Sequence, residues 1–120
     1  YITVKGIGIS VGPGMSKYDA NYDFTHWEET YRASIQAYTQ AGIKNPREEI
    51  DMVEVHDCFS IAEALAVESL QLCERGTIKR DIDAGRFTIG DVTIVDRHHV
   101  MCGCGDTLMI EKKDQHASHR

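Results

Sequence analysis

Apolar positions along this chain recur in two rhythms. Ile2, Val4, Ile7 and Ile9 alternate with polar residues or glycine, which predicts a strand over Ile2 to Ser10. Val11-Gly-Pro-Gly-Met15 breaks it, and a polar loop follows over 16–24. Thr25 followed by Glu28 has the spacing of a capping box, in which each side chain satisfies a backbone N–H at a helix start. Trp27, Tyr31, Ile35 and Tyr38 then recur at helical spacing, predicting one apolar stripe that runs to about Ala41. Gly42 is placed to end that helix. Asn45-Pro46 opens a turn or a short helical turn, and Ile50 to Val55 reads as a second strand.

A second capping box, Ser60 and Glu63, opens the next helix. Phe59, Ile61, Ala62, Leu65, Ala66, Val67, Leu70 and Leu72 make it apolar nearly all round, so burial on more than one side is expected, with Gly76 as the stop. Residues 77–88 read as irregular. Val92 to Val95 and Thr107 to Glu111 are candidate closing strands, and residues 112–120 read as a polar, mobile tail. Strand, helix, strand, helix in this order predicts an α/β fold: a parallel or mixed sheet covered by helices.

At 120 residues the chain suffices for one modest domain, and a hydrophobic content of 42% can fill its core. The net charge of -6, with an isoelectric point near 5.4, argues against nucleic acid as a partner. No apolar run approaches the roughly 20 residues needed to cross a bilayer. No secretory signal is visible in these residues, and Tyr1 in place of Met leads to the expectation of a cut or partial N-terminus. The 4 cysteines sit in unrelated contexts and do not read as a disulfide framework; a reducing cytoplasm is the expected setting.

The chemistry concentrates at one junction. The apolar run from Met52 to Val55 stops at His56, Asp57 and Cys58, and a helical pattern begins at once. Ligands of open α/β sheets bind at such strand-to-helix edges. His56 is the candidate catalytic residue; its structural reading is a buried imidazole bonded to backbone. Cys58 lies near a helix N-terminus, which lowers a thiol pKa, or it is a small buried hydrophobe, the reading we favour. Cys73 reads as core. His98, His99, Cys102 and Cys104 offer four groups of the kind zinc takes, but one residue between the cysteines is tighter than the usual two to four, and no bound metal is expected. Gly6, Gly8, Gly12 and Gly14 lack the Gly-Lys-Ser ending of a phosphate loop. They are expected to permit a turn and close packing. His116 and His119 read as part of the solvated tail.

The run His56-Asp57-Cys58-Phe59, followed by Ser60-Ile61-Ala62-Glu63-Ala64-Leu65 and closed by Leu72-Cys73-Glu74-Arg75-Gly76, resembles the C-terminal domain of a thiolase. It is most similar to the acetyl-CoA acetyltransferase and sterol-carrier-protein-type branch. Val4-Lys5-Gly6-Ile7-Gly8, Gly12-Pro13-Gly14, Tyr22-Asp23-Phe24-Thr25, Ala37-Tyr38, Ala41-Gly42-Ile43 and Asn45-Pro46-Arg47-Glu48-Glu49-Ile50 extend the resemblance. It implies half of a thiolase fold, a mixed sheet with covering helices, over residues 1–111. It also implies coenzyme A thioesters as substrates, with no covalently held cofactor. His56 would then stand beside the thioester oxygen as a hydrogen-bond donor, where other thiolases carry Asn.

Agreement fades past Asp91, so residues 91–111 are atypical. No Gly-His-Pro, the motif carrying the family's second catalytic His, occurs in the chain, and the half bearing the nucleophilic Cys is not among these residues. One helix of the resembled domain is therefore expected to be lacking, and this chain alone is expected to be inactive. Cys102 or Cys104, in a Cys-Gly turn before the last strand, has the placing of the family's acid/base Cys. The helix after His56 would need a covering partner, in a homo-oligomer or from a chain carrying the missing half. Three rival functions stay open: a thiolase-fold aldolase or lipid-transfer-type protein, a non-catalytic fragment or interaction subunit, and a small zinc module.

Overall fold

The apolar run ahead of the His-Asp-Cys junction forms the central strand of a small mixed sheet. A computed structural model of the chain describes residues 3–12, 18–55, 59–87, 93–96 and 110–111. Strand β1 is Met52–Val55, β2 is Thr93–Asp96 and β3 is Ile110–Glu111, in the order β2-β1-β3. β1 pairs in parallel with β2, from Met52↔Thr93 to Val55↔Asp96, and antiparallel with β3 through Val53↔Ile110. Among the described residues the helices are α1 Glu28–Ala41, α2 Pro46–Glu49, α3 Ser60–Ser69 and α4 Ile78–Asp83.

Val53 and Val55 are buried while Met52 is exposed, the period-two signature of a strand with one face on the core. They join Tyr38 of α1, Ile43, Ile50, and Ala66, Val67, Leu70 and Leu72 of α3 and its continuation in one apolar cluster. Trp27, Ala41, Cys73, Ile78 and Phe87 pack around its margin. Polar contacts add to this packing near the C-terminal end of α3. The Trp27 amide donates to Ser69 Oγ at 3.2 Å, Gln71 Nε2 donates to Ser34 Oγ at 3.3 Å, and Ser34 and Ser69 are both buried. Buried hydroxyls are tolerated here because each has a partner.

Several expectations need correction. Of the strand expected over Ile2 to Ser10, Ile2 lies outside the described residues, and residues 3–10 pair with no strand among the described residues; Ile7 and Ile9 lie along α1 instead. The backbone groups of Ile7 and Ile9 find their partners in the side-chain amides of Gln40 and Gln36. Neither capping box forms. The N-cap residues are Trp27 and Phe59, without side-chain caps, and Glu28 is taken by Arg32 at 2.6 Å. The α1 stripe is rotated from the one expected: Ser34, Ala37 and Tyr38 are buried, whereas Tyr31 and Ile35 are exposed.

The third helix ends at Ser69, well before Gly76. Gln71 takes a φ of 62° and the Leu72 amide turns back to the Val67 carbonyl at 3.1 Å. A non-glycine residue in that conformation costs about 1–2 kcal/mol. Full burial of Leu72 and the Gln71–Ser34 bond offset that cost. The helix also buries fewer sides than expected, since Phe59 and Ile61 are exposed. Residues 78–83, expected to be irregular, form α4; Glu68 of α3 accepts from the Ile78 amide at 3.1 Å and so satisfies one of its open N–H groups.

Other expectations hold. Gly42, at φ 74°, ends α1, with the Ile43 amide returning to the Tyr38 carbonyl at 2.9 Å. Pro46 takes the first position of α2.

Candidate functional site

β1 ends at Val55 and α3 begins at Ser60, so the two elements bracket the His56-Asp57-Cys58 junction. His56, Asp57 and Cys58 themselves lie outside the described residues, as do His98, His99, Cys102, Cys104, His116 and His119. On the helix side of the junction Phe59 is extended, at φ -148° and ψ 145°, and exposed.

One cleft opens beside this junction. It is lined by Ser60, Glu63, Ala64 and Val67 of α3, Ile78 and Ile82 of α4, and Gly85 and Phe87, and holds about 280 Å³. That is at the small end of ligand sites, which run from about 300 to 1,000 Å³. Ala64, Val67, Ile78, Ile82 and Phe87 make its lining mostly apolar, and Ser60 and Glu63 supply the polar side chains. Phe87 is fixed from behind by the Arg47 guanidinium, 5.0 Å from its ring centre. Such a surface can hold a short apolar group and present a hydroxyl and a carboxyl to it. The sequence pattern places Ser60 and Glu63 in a capping box and in the thiolase-like run, without pointing to a cleft. Their place in the cleft depends on α4, which no strong periodicity announces.

Cys73 sits at the edge of the core, half-buried, and its thiol is pushed up to about 11, first by burial and then by the Glu68 and Asp81 carboxylates. A thiol so placed is almost wholly protonated near neutral pH and is a poor nucleophile. Among the described residues no three His, Cys, Asp or Glu side chains cluster as metal ligands would, and no helix is long and apolar enough to cross a membrane.

Two of the sequence motifs meet in space. Arg75 donates through Nη2 to Asp23 Oδ2 and, at 3.1 Å, to Thr25 Oγ1. Asp23 Oδ1 also accepts from the Thr25 amide at 2.8 Å and its hydroxyl at 2.6 Å. The Tyr22-to-Thr25 loop is thereby tied to the turn that follows α3. The arrangement is exposed and structural in kind; nothing in the local spacing of either motif announces the other.

Comparison with known proteins gives a consistent picture. Residues 14–110 match the family described as thiolase C-terminal domain-like. The match runs past Asp91, beyond the point where the motif agreement fades. The chain is similar to an acetyl-CoA acetyltransferase of Methanothermobacter thermautotrophicus, with 41% identity over 73 residues, 60% of this chain and 18% of that protein. It is similar to a benzoylsuccinyl-CoA thiolase subunit BbsB of Thauera aromatica, 33% identical over 107 residues, 89% of this chain and 26% of that protein. It is also similar to sterol carrier protein 2 of Gallus gallus, 33% identical over 70 residues, 58% of this chain and 12% of that protein. The matched stretch thus spans between 12% and 26% of the length of these relatives.

Proposed function

The chain belongs to the thiolase C-terminal domain-like family, and from that premise we propose that it is the C-terminal part of a thiolase-like acyltransferase acting on coenzyme A thioesters in the cytoplasm. The observation that carries this reading is the family match across the bracketed junction: β1 and α3 flank the His56-to-Phe59 motif. In the proposed role His56 donates a hydrogen bond to the thioester oxygen as it gains negative charge, a contribution whose loss costs about 10²–10³ in rate at comparable sites. The nucleophilic Cys and the base come from a thiolase half supplied by other residues. The working form is an oligomer in which that half covers the exposed start of α3. The cleft beside Ser60 and Glu63 has a floor suited to a short acyl group.

The test is thiolysis of acetoacetyl-CoA after this chain is reconstituted with a thiolase half that carries the nucleophile. His56→Ala is expected to lower turnover at least a hundred-fold, and His56→Asn to retain more than the Ala variant. Equal turnover with His and Ala at position 56 would remove the assignment. A second reading, a non-catalytic subunit that keeps the fold, draws support from the lack of any Gly-His-Pro among these residues. In that reading reconstituted turnover is indifferent to position 56.

A further inference from the structure

The cleft between α3 and α4 has a closed end and an open one. Ser60, Ala64 and Val67 lie at i, i+4 and i+7, on one face of α3, and line it over about 10 Å. At one end Val67 is fully buried, and the neighbouring Glu68 carboxylate accepts from the Ile78 amide at 3.1 Å, which draws the start of α4 onto α3 there. At the other end Ser60 is exposed. Ser60 follows Cys58 by two residues, so it stands within about 8 Å of the His56-Asp57-Cys58 junction.

Two small residues keep the space between these ends clear. Gly85 has a φ of 69°, so its lack of a side chain has a backbone cause. Ala64 has no such cause. Leucine, methionine or glutamine serves a helix almost as well as alanine, and at position 64 any of them would fill the cleft between Ser60 and Val67. A cavity of about 150 Å³ holds benzene, a ring of six carbons. The 280 Å³ here, open along the side where Ile82 is 57% exposed, accommodates an aliphatic tail of about four to eight carbons. Charge sets a second limit. No Lys, Arg or His among the described residues lines the cleft. A tail ending in a carboxylate would lose water there without gaining a counter-charge.

We propose that this cleft selects the acyl group: it takes uncharged aliphatic tails of about four to eight carbons, rejects tails that end in a carboxylate, and has its depth set by Ala64. The proposal rests on the acyl-CoA reading and goes beyond it to the class of acyl group. With the tail between α3 and α4, the thioester lies at the Ser60 end, where α3 leaves the junction.

The test is titration of the 120-residue chain, its Ala, Val and Ile methyl groups labelled for nuclear magnetic resonance. The probes are free coenzyme A, the butanoyl, hexanoyl, octanoyl and dodecanoyl thioesters, and adipoyl-CoA, whose tail matches hexanoyl in length but ends in a carboxylate. The Ala64, Val67, Ile78 and Ile82 methyls are expected to shift with hexanoyl-CoA and not with free coenzyme A or adipoyl-CoA. Affinity is expected to rise about four-fold per added methylene as far as octanoyl-CoA and then to level off. Ala64→Leu is expected to hold octanoyl-CoA no more tightly than butanoyl-CoA. Ile82→Lys sets an ammonium on the cleft wall at an exposed position, and is expected to turn the preference from hexanoyl- to adipoyl-CoA; it carries the test if Ala64→Leu fails to fold. Cleft methyls that respond equally to free coenzyme A, or to no thioester, overturn the proposal. So do equal wild-type affinities for hexanoyl- and adipoyl-CoA, an unchanged chain-length dependence in folded Ala64→Leu, or an Ile82→Lys variant that still prefers hexanoyl-CoA. The acyl-CoA reading itself falls on a different result, equal turnover of the reconstituted enzyme with His and Ala at position 56.

Discussion

The Tyr38 hydroxyl donates to the Leu70 carbonyl at 2.9 Å, a buried bond that joins the C-terminal half of α1 to the residue that ends α3. Both residues are 3% exposed, so water does not replace the bond when it is lost. Tyr38→Phe keeps the ring and orphans the carbonyl. It is expected to cost about 1–3 kcal/mol, read as a lower urea midpoint with an unchanged slope. Burial also raises the Tyr38 pKa above its ordinary value. The raised folded value means its contribution is present below about pH 10 and is lost as pH climbs beyond the ordinary tyrosine range.

Leu70 and His56 separate stability from chemistry. Leu70→Ala removes a buried side chain from the core cluster and is expected to cost about 2–5 kcal/mol. In a reconstituted enzyme it is expected to leave turnover of the folded fraction intact. His56→Ala is expected to do the reverse. Denaturation midpoints and thiolysis rates, measured on the same preparations, distinguish the two.

The Asp23 carboxyl is lowered to about 2, first by the Thr25 hydroxyl and amide and then by Arg75. Its folded pKa is depressed, so the stabilising contribution is present above the ordinary value of 3.8 and is lost as pH falls through about 2. Protection of the Thr25 amide, taken relative to its intrinsic exchange rate at each pH, is expected to vanish over that window, and Asp23→Asn is expected to remove the change in protection. The pair is exposed, so added salt is expected to weaken the tie to Arg75.

Purified by itself, the 120-residue chain is expected neither to form nor to cleave acetoacetyl-CoA, because it contains no Gly-His-Pro and matches only 12% to 26% of the length of the relatives it resembles. A thiolysis assay checks this directly. Turnover clearly above background would reassign the nucleophile, with Cys58 and Cys104 the first to be replaced.

The sequence by itself determined the family, the β1–junction–α3 order and the end of α1. Each of these is a local property. The thiolase-like motifs are contiguous runs, Val53 and Val55 carry a two-residue period, and Gly42 is the residue that adopts a positive φ at least cost. Tertiary structure decided the rest. Ile7 and Ile9 have a strand's pattern, but their backbone partners are two glutamine side chains 27 and 33 residues away, and side-chain periodicity does not record which group will satisfy a main-chain amide. The chain turns at Gln71, just past the C-cap of α3, because Leu72 is buried in the core and the Gln71 side chain meets Ser34, contacts that exist only once α1 and α3 have packed. The cleft beside the junction is equally invisible to the sequence, because Ser60 and Glu63 acquire their neighbours Ile78, Ile82 and Phe87 only when α4 folds back onto α3.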